Sequence, residues 1–359
     1  MDAGRVERYQ KPAMIRESFW KSRTAEGLWL LAVAAIILGM VAIGGLTRLT
    51  GSGLSITQWD PIMGAIPPLS DAQWADAFAQ YRRIPQYIVE NRGMTLEGFK
   101  GIFWWEWTHR LLGRLLGLVF FVPFVWFAAT GAIARRDWPR MALLFALGAL
   151  QGFIGWWMVQ SGLETRLSVS QYRLAIHLGT AILLLGAMVW TALEYLRPGT
   201  STGASKRASA FVALVYVQML LGALVAGLHA GLVYNTWPDM NGHVFPEGAF
   251  FHSPWWINFF ENDGLAQFDH RIGAYLVAGF AVFVYARGIK LSGWAKKSAK
   301  LVAALTALQV GLGIATLLMM APEDLAAMHQ VVAALLFCAA VWHAYELRIF
   351  TPSPVPDRR

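Results

Sequence analysis

Four histidines in this 359-residue chain stand in positions that suit metal chemistry. His109 and His270 each open an apolar stretch as a His-Arg pair, in EWTHRLLGRLLG (106–117) and QFDHRIGAYLVAG (267–279), and each is followed by a second histidine in a later apolar stretch, His177 and His329. Imidazole is the commonest metal-ligating side chain, and an ionisable group inside an apolar span is costly enough to be functional by default. Three residues before His109 stands Glu106; three before His270 stands Gln267. That spacing puts each on the helical face of its histidine. A carboxylate can move a proton or stabilise a developing positive charge, whereas an amide can only hydrogen-bond. The first stretch therefore reads as a reacting site and the second as a relay. The plainer alternative is that Glu106 is an interfacial acid.

The elements that carry these residues belong in a bilayer. With 56% hydrophobic and only 14% charged residues, the chain lacks the polar surface of a soluble domain. A helix crosses the hydrocarbon core in about 20 apolar residues, and eight segments qualify, near 27–46, 109–131, 141–160, 173–196, 209–228, 269–290, 299–319 and 326–347. The fold class expected is an all-α integral membrane protein. Arg5, Arg8, Lys11, Arg16, Lys21 and Arg23 precede the first segment, and Arg348, Arg358 and Arg359 follow the last. Basic clusters also fill the second, fourth and sixth connections (Arg135, Arg136, Arg140; Arg197, Lys206, Arg207; Arg287, Lys290, Lys296, Lys297, Lys300), while 229–269 has no Lys or Arg. This positive-inside pattern predicts cytoplasmic termini. It also accounts for the net charge of +8 without nucleic acid. The polar first 26 residues include Asp2, Glu7, Glu17 and Glu26, unlike a secretory signal or a mitochondrial presequence. A bacterial inner membrane is the simplest location. The single cysteine, Cys338, permits neither an intramolecular disulfide nor a CxxCH attachment.

The halves repeat. Ala-Leu-Gln recurs at 149–151 and 307–309; Gly45-Leu46 through Trp59-Asp60-Pro61 is echoed by Gly227-Leu228 through Trp237-Pro238-Asp239; the two His-Arg pairs lie 161 residues apart, and His177 and His329 lie 152 apart. An even number of spans per half predicts two parallel-repeated four-helix bundles. The domains expected are a tail (1–26), a first bundle (27–196) with a long outer loop (47–108), a linker (197–208), a second bundle (209–347) and a tail (348–359). Within the long loop, 71–83 and 95–107 read as short amphipathic helices on the outer surface, roofing a site below.

All four histidines fall toward the outer ends of even-numbered spans, two per half. Facing histidines in a four-helix bundle are how such folds hold haem. Zinc or copper would want a compact third or fourth ligand, and only the scattered outer-loop set His229, His243 and His252 offers an alternative. His343, at the other membrane face, reads as structural. Arg110 and Arg271 suit haem propionates, as Arg114 and Arg173 do less directly; interfacial snorkelling explains them equally well.

Several stretches together resemble the haem A synthase family: GLTRLTGSGLSITQW, FKGIFWWEWTHRLLGRLLG, QGFIGWWMVQSGL, VSQYRLAIHLG, VAGLHAGLVYNTWPDMNG, QFDHRIGAY and His329-Gln330. The resemblance runs from about 27 to 347. It implies oxidation of the C8 methyl of haem O to a formyl, by two hydroxylations and loss of water, for cytochrome oxidase assembly. It carries a haem b onto His270 and His329, the substrate haem onto His109 and His177, and the catalytic glutamate onto Glu106. The partners it implies are the bilayer, an electron donor, haem O synthase, oxidase assembly factors and a second copy of the chain. Some members carry an outer-loop cysteine pair that this chain lacks, so thiol-based steps do not apply here. Two rival readings use the same histidines without chemistry: a di-haem electron-transfer protein resembling cytochrome b561, which would put ligands at both membrane faces, and a haem transporter or chaperone, which would not need Glu106.

Overall fold

The computed structural model describes residues 23–349. Residues 1–22 and 350–359, with the basic residues Arg5, Arg8, Lys11, Arg16, Lys21, Arg358 and Arg359, lie outside the described residues. The described chain is helical and contains no β-strand. Eight helices have 22 residues or more: α1 (Arg23–Leu49), α4 (Leu96–Ala129), α5 (Trp138–Leu163), α6 (Gln171–Leu196), α7 (Lys206–Gly227), α9 (Asp263–Gly288), α10 (Gly293–Leu318) and α11 (Glu323–Ile349). Three shorter ones, α2 (Asp71–Tyr81), α3 (Pro85–Val89) and α8 (Asn258–Glu261), sit in the loops. Seven of the long helices are long and apolar enough to cross a membrane. The chain is a multi-pass membrane protein. The eighth long helix, α9, is 26 residues but carries Asp263, Asp269, Arg271 and Arg287 along its length.

The long helices close into two rings of neighbours, α1–α4–α5–α6 and α7–α9–α10–α11, joined where α1 and α6 meet α7 and α11. The central four carry the core: Leu30, Val33 and Ile37 of α1, Ile182, Leu185 and Met188 of α6, Phe211 and Val215 of α7, and Phe337 and Val341 of α11. Gly186 lets α6 lie against Phe337, whose ring edge would stand 2.8 Å from a Cβ there. Leu118, Val122, Val125 and Trp126 of α4, on the periphery, stay exposed, as lipid-facing side chains do. At the basic end, Arg348 of α11 reaches Glu194 of α6 at 2.9 Å, the Arg197 guanidinium donates to Glu346 at 3.2 Å, and Tyr345 donates to the Arg197 carbonyl at 2.8 Å. These contacts tie the rings together where apolar packing ends.

The opposite end is roofed by the first long loop. Ser70 and Gln73 form a reciprocal capping box that starts α2, Pro85 occupies the first turn of α3, and Thr95 caps α4. The expected helix at 71–83 is present as α2. The stretch 95–107 is not a separate surface helix: it forms the first turns of α4, which runs 34 residues without a break. At 1.5 Å per residue α4 is roughly 50 Å long, longer than the core of about 30 Å. Its projecting turns bury Phe99 and Phe103 against Trp74, Tyr81, Ile84 and Leu54. Those apolar contacts hold 95–107 in line with the span that follows, where a separate amphipathic helix was expected.

Tyr81 pins this roof. It is fully buried, donates to the Gln86 side chain at 3.1 Å and accepts from Asn91 at 2.7 Å, while Gln86 donates to the Gly51 carbonyl at 3.1 Å. Tyr81→Phe strands the Asn91 amide and the Gln86 carbonyl, at a cost of about 1–3 kcal/mol; limited proteolysis should cut faster between residues 71 and 95, with the bundle unaffected. Burial pushes the Tyr81 hydroxyl above its ordinary value, against a smaller lowering from the Asn91 hydrogen bond. The protonated phenol is the form the fold favours. Its contribution is complete below about pH 10 and is lost as the pH rises through the raised value, so alkaline pH should speed cleavage of the parent's roof and change Tyr81→Phe much less.

Candidate functional site

Each of the four histidines is seated against a glycine of the neighbouring helix. A Cβ on Gly44 (α1) would stand 2.8 Å from the His109 ring, on Gly155 (α5) 2.9 Å from His177, on Gly222 (α7) 3.1 Å from His270, and on Gly313 (α10) 2.9 Å from His329. Any side chain at these glycines would drive the ring out of its seat. A glutamine one turn earlier accompanies three of the four glycines: Gln151, Gln218 and Gln309. Gln151 approaches His177 Nδ1 at 3.1 Å and donates to the His177 carbonyl at 2.7 Å; Gln218 does the same for His270 at 3.0 and 2.8 Å. In both, the amide donates and Nδ1 accepts, so the ring proton stands on Nε2. Gln309 meets Nε2 of His329 at 3.2 Å, and a half-turn of that ring exchanges its two nitrogens. A metal-bound imidazole donates from its other nitrogen, so ligation through Nε2 of His177 or His270 requires these amides to turn their oxygens toward the rings.

The rings of His270 and His329 lie 6.4 Å apart, centre to centre. With metal–imidazole bonds of about 2 Å, two rings on opposite sides of one metal have centres roughly 6 Å apart. The separation of the pair is the one a bis-histidine iron needs. His109 and His177 lie in the other ring of helices, on α4 and α6.

Glu106 and Gln267 sit one turn before their histidines, both about 3% exposed. Their surroundings are opposite in polarity. One Glu106 oxygen accepts from Ser55 Oγ at 2.7 Å and from the Ile56 amide at 2.8 Å; the other accepts from Arg110 at 2.7 and 3.1 Å. Every partner is a donor. Gln267 Nε2 instead donates to the carbonyls of Ala230 at 2.8 Å and Tyr234 at 3.2 Å, and its oxygen accepts from Arg271 at 3.1 Å. The first loop offers N–H and O–H where the second offers carbonyls, so each loop path matches the side chain it meets.

The arginines fasten these loops. Arg110 donates to the carbonyls of Gln58 at 2.9 Å and Ile56 at 2.8 Å, and Arg114 to those of Pro61 and Asp60, both at 2.8 Å. Arg271 donates to Thr236 at 3.0 Å, Asp239 at 2.7 Å and Tyr234 at 3.0 Å. Arg173 donates to the Trp157 carbonyl at 2.6 Å and lies over the Trp157 ring. Nη1 of Arg114 and Nε of Arg271 are buried without a partner.

The remaining histidines have other surroundings. His229 has a left-handed backbone at the end of α7, and burial, with Arg48 nearby, holds its imidazole below the ordinary range. His243 pairs with Glu247 at 3.3 Å, and His252 packs on Phe251. Among the described residues no three His, Cys, Asp or Glu side chains gather as a metal cluster, so the outer-loop alternative has no site. His343 is buried at the other end, with Nδ1 2.9 Å from Ser298 Oγ. Sequence reasoning had no place for Ser55, Gln151, Gln218 and Gln309. The glutamines carry a readable signal, Gln-x-x-x-Gly inside apolar spans, in three helices.

The chain is similar to known proteins over most of its length. The model of the cytochrome oxidase assembly protein family matches residues 27–341. Curated relatives named haem A synthase include those of Parvibaculum lavamentivorans, 50% identical over 322 residues (89% of this chain and 93% of the relative), and Azorhizobium caulinodans, 50% identical over 330 (90% and 94%). The one from Nitrosospira multiformis is 46% identical over 330 residues (89% and 93%). The chain belongs to the cytochrome oxidase assembly protein family and, within it, to the haem A synthases.

Proposed function

We propose that this protein is an oxidoreductase that converts haem O to haem A for cytochrome oxidase assembly, oxidising the C8 methyl to a formyl through two hydroxylations and loss of water. The observation that carries the reading is the pair of alike histidine sites that differ at Glu106 and Gln267. In this reading α9 is the eighth span, and the two rings of helices are parallel repeats of one four-helix bundle, over 27–196 and 209–347. The recurring glycine seats support that pairing, through Gly44 with Gly222 rather than Gly45 with Gly227. The basic end faces the cytoplasm of a bacterial inner membrane, with both termini there, and the histidines lie toward the outer face.

His109 and His177 hold the iron of the substrate haem, and His270 and His329 hold haem b. Haem b, when bound there, supplies a one-electron relay from an external donor. Glu106 lies one turn from His109, so its negative charge stands beside the substrate and stabilises positive charge that develops as the methyl is oxidised. Because four donor contacts hold that carboxylate, a fixed charge suits the geometry better than a swinging proton carrier. Arg110 and Arg271 position the loops, and the unpartnered Nε of Arg271 and Nη1 of Arg114 are the donors left for propionate oxygens. Peripheral apolar helices such as α4 give the prenyl tail of haem O a lateral path from lipid.

The test is to express the chain with a source of haem O and identify the extracted haems by mass. The parent should yield hydroxylated and formylated porphyrin. Glu106→Gln turns an amide NH2 toward Arg110 or toward Ser55 and Ile56, all donors, so conversion should fall about a hundredfold or more, with the haem at His270 and His329 retained. Parental conversion by this variant would remove Glu106 from the mechanism, and unchanged haem O from the parent would favour an electron-transfer or haem-carrier role.

A further inference from the structure

The two rings of helices differ in bulk along the seam between their outer pair. Gly117 of α4 lies on the face that carries Phe120, Phe124 and Phe127, and Gly148 of α5 on the face that carries Met141, Leu144 and Gln151. Both faces point into the ring, and both glycines are half-buried. A Cβ added to either would nevertheless meet no other part of the described chain within 4 Å. Gly117 is eight residues beyond His109, and Gly148 is seven before Gly155, the seat of His177. Both therefore lie roughly 10–12 Å nearer the basic end than the histidines. Beyond them Phe145 of α5 meets Phe120 and Phe121 of α4, with ring centres 5.9 and 5.2 Å apart, and closes the seam. Of all neighbours in the two rings, α4 and α5 pack least closely.

The second ring is filled at the same level. With His270 and Gln309 as counterparts of His109 and Gln151, Ala278 and Thr306 stand in place of Gly117 and Gly148. Thr306 is buried, its hydroxyl donating to the Val302 carbonyl at 2.8 Å. Ala281 and Ala303 take the places of Phe120 and Phe145, and α9 closes on α10 so tightly that a Cβ on Gly288 would lie 2.1 Å from Ala299. Within these two helices the glycines that border open space, among them Gly279 and Gly311, are exposed.

We propose that the gap between α4 and α5 at Gly117 and Gly148 takes the prenyl chain of haem O, and that its presence in one ring only decides which haem each site accepts. The inference rests on the assignment of His109 and His177 to the haem O iron. Both sites must admit a porphyrin, so space common to the two rings needs no further occupant. What the first ring has in excess is space about two turns from its histidines, between its least closely packed helices. What haem O has in excess of haem b is an isoprenoid chain. Such a chain is apolar and asks for room without polar partners, which is all that two glycines supply. Leu118 and Leu147, beside them, are exposed, so the gap continues to the lipid face. Each methylene buried there favours binding about fourfold. In the second ring Ala278 and Thr306 stand in that path, and only a haem without the chain fits. Gly117 and Gly148 determine specificity through the space they leave.

The haem inventory by mass of protein purified from cells that supply both haem O and haem b reads this directly. The parent should hold one prenylated haem and one haem b per chain. Gly117→Leu and Gly148→Leu fill the gap, and each should lower the prenylated haem by roughly tenfold or more. Haem b should stay at one per chain, which shows that the variant has folded, or rise toward two as haem without a chain enters the first site. If a leucine prevents folding, Gly117→Ala combined with Gly148→Ala, which suits a helix, should still lower the ratio of prenylated to unprenylated haem severalfold. Prenylated haem at the parental level in the folded leucine or alanine variants overturns the proposal. His109→Ala with His177→Ala separates this from failure of the functional reading: if that variant loses no prenylated haem, the assignment of the site itself is wrong.

Discussion

An imidazole inside an apolar helix bundle needs room and a polar partner; the neighbouring helix supplies the room for all four histidines and, from the same turn, a partner for three. The glycine removes the Cβ that would collide with the ring, and the glutamine four residues earlier reaches Nδ1 or its exchangeable equivalent. Apolar packing alone would leave four buried polar rings unpaired, each at a cost of about 1–3 kcal/mol. The arrangement of helices follows from this requirement. Each histidine-bearing helix packs on the face of its neighbour that carries the glycine, α4 against α1, α6 against α5, α9 against α7 and α11 against α10. The wide apolar faces that remain are free to meet lipid.

The loops above the bundle convert two similar sites into two different ones. Arg110, Arg114 and Arg271 pull loop carbonyls down onto α4 and α9, and the path each loop then takes decides what faces the residue before the histidine. Ser55 and the Ile56 amide meet a carboxylate; the Ala230 and Tyr234 carbonyls meet an amide. A single exchange of Glu for Gln therefore has consequences beyond the lost charge, because the loop is built for one side chain and not the other. The roof packed around Tyr81 and Phe99 belongs to the first half; among the described residues the corresponding outer loop of the second half carries only the short α8.

Much of this is readable from residue types. Apolar length and the placement of Lys and Arg disclose the helices; the spacing of Glu106 and Gln267 from their histidines discloses the asymmetry. The fate of 95–107 is not readable, because only the contact of Phe99 and Phe103 with α2 joins it to the span that follows. The donors around Glu106 are also hidden, since a backbone amide such as that of Ile56 has no signature in the residue that carries it. Gln-x-x-x-Gly lies between these cases. The recurrence of Ala-Leu-Gln marks the repeat, but that each glutamine faces a histidine follows only from how the helices pack.

The central claim is that one pair of histidines holds the substrate and the other holds a resident haem. Its most direct test is the haem inventory of purified protein, made with a haem O source, for two double variants. His109→Ala with His177→Ala should lose the prenylated haem and keep haem b, and His270→Ala with His329→Ala should lose haem b and keep haem O unconverted. Loss of the same haem from both variants, or loss of haem b from the first, would contradict this division of the sites.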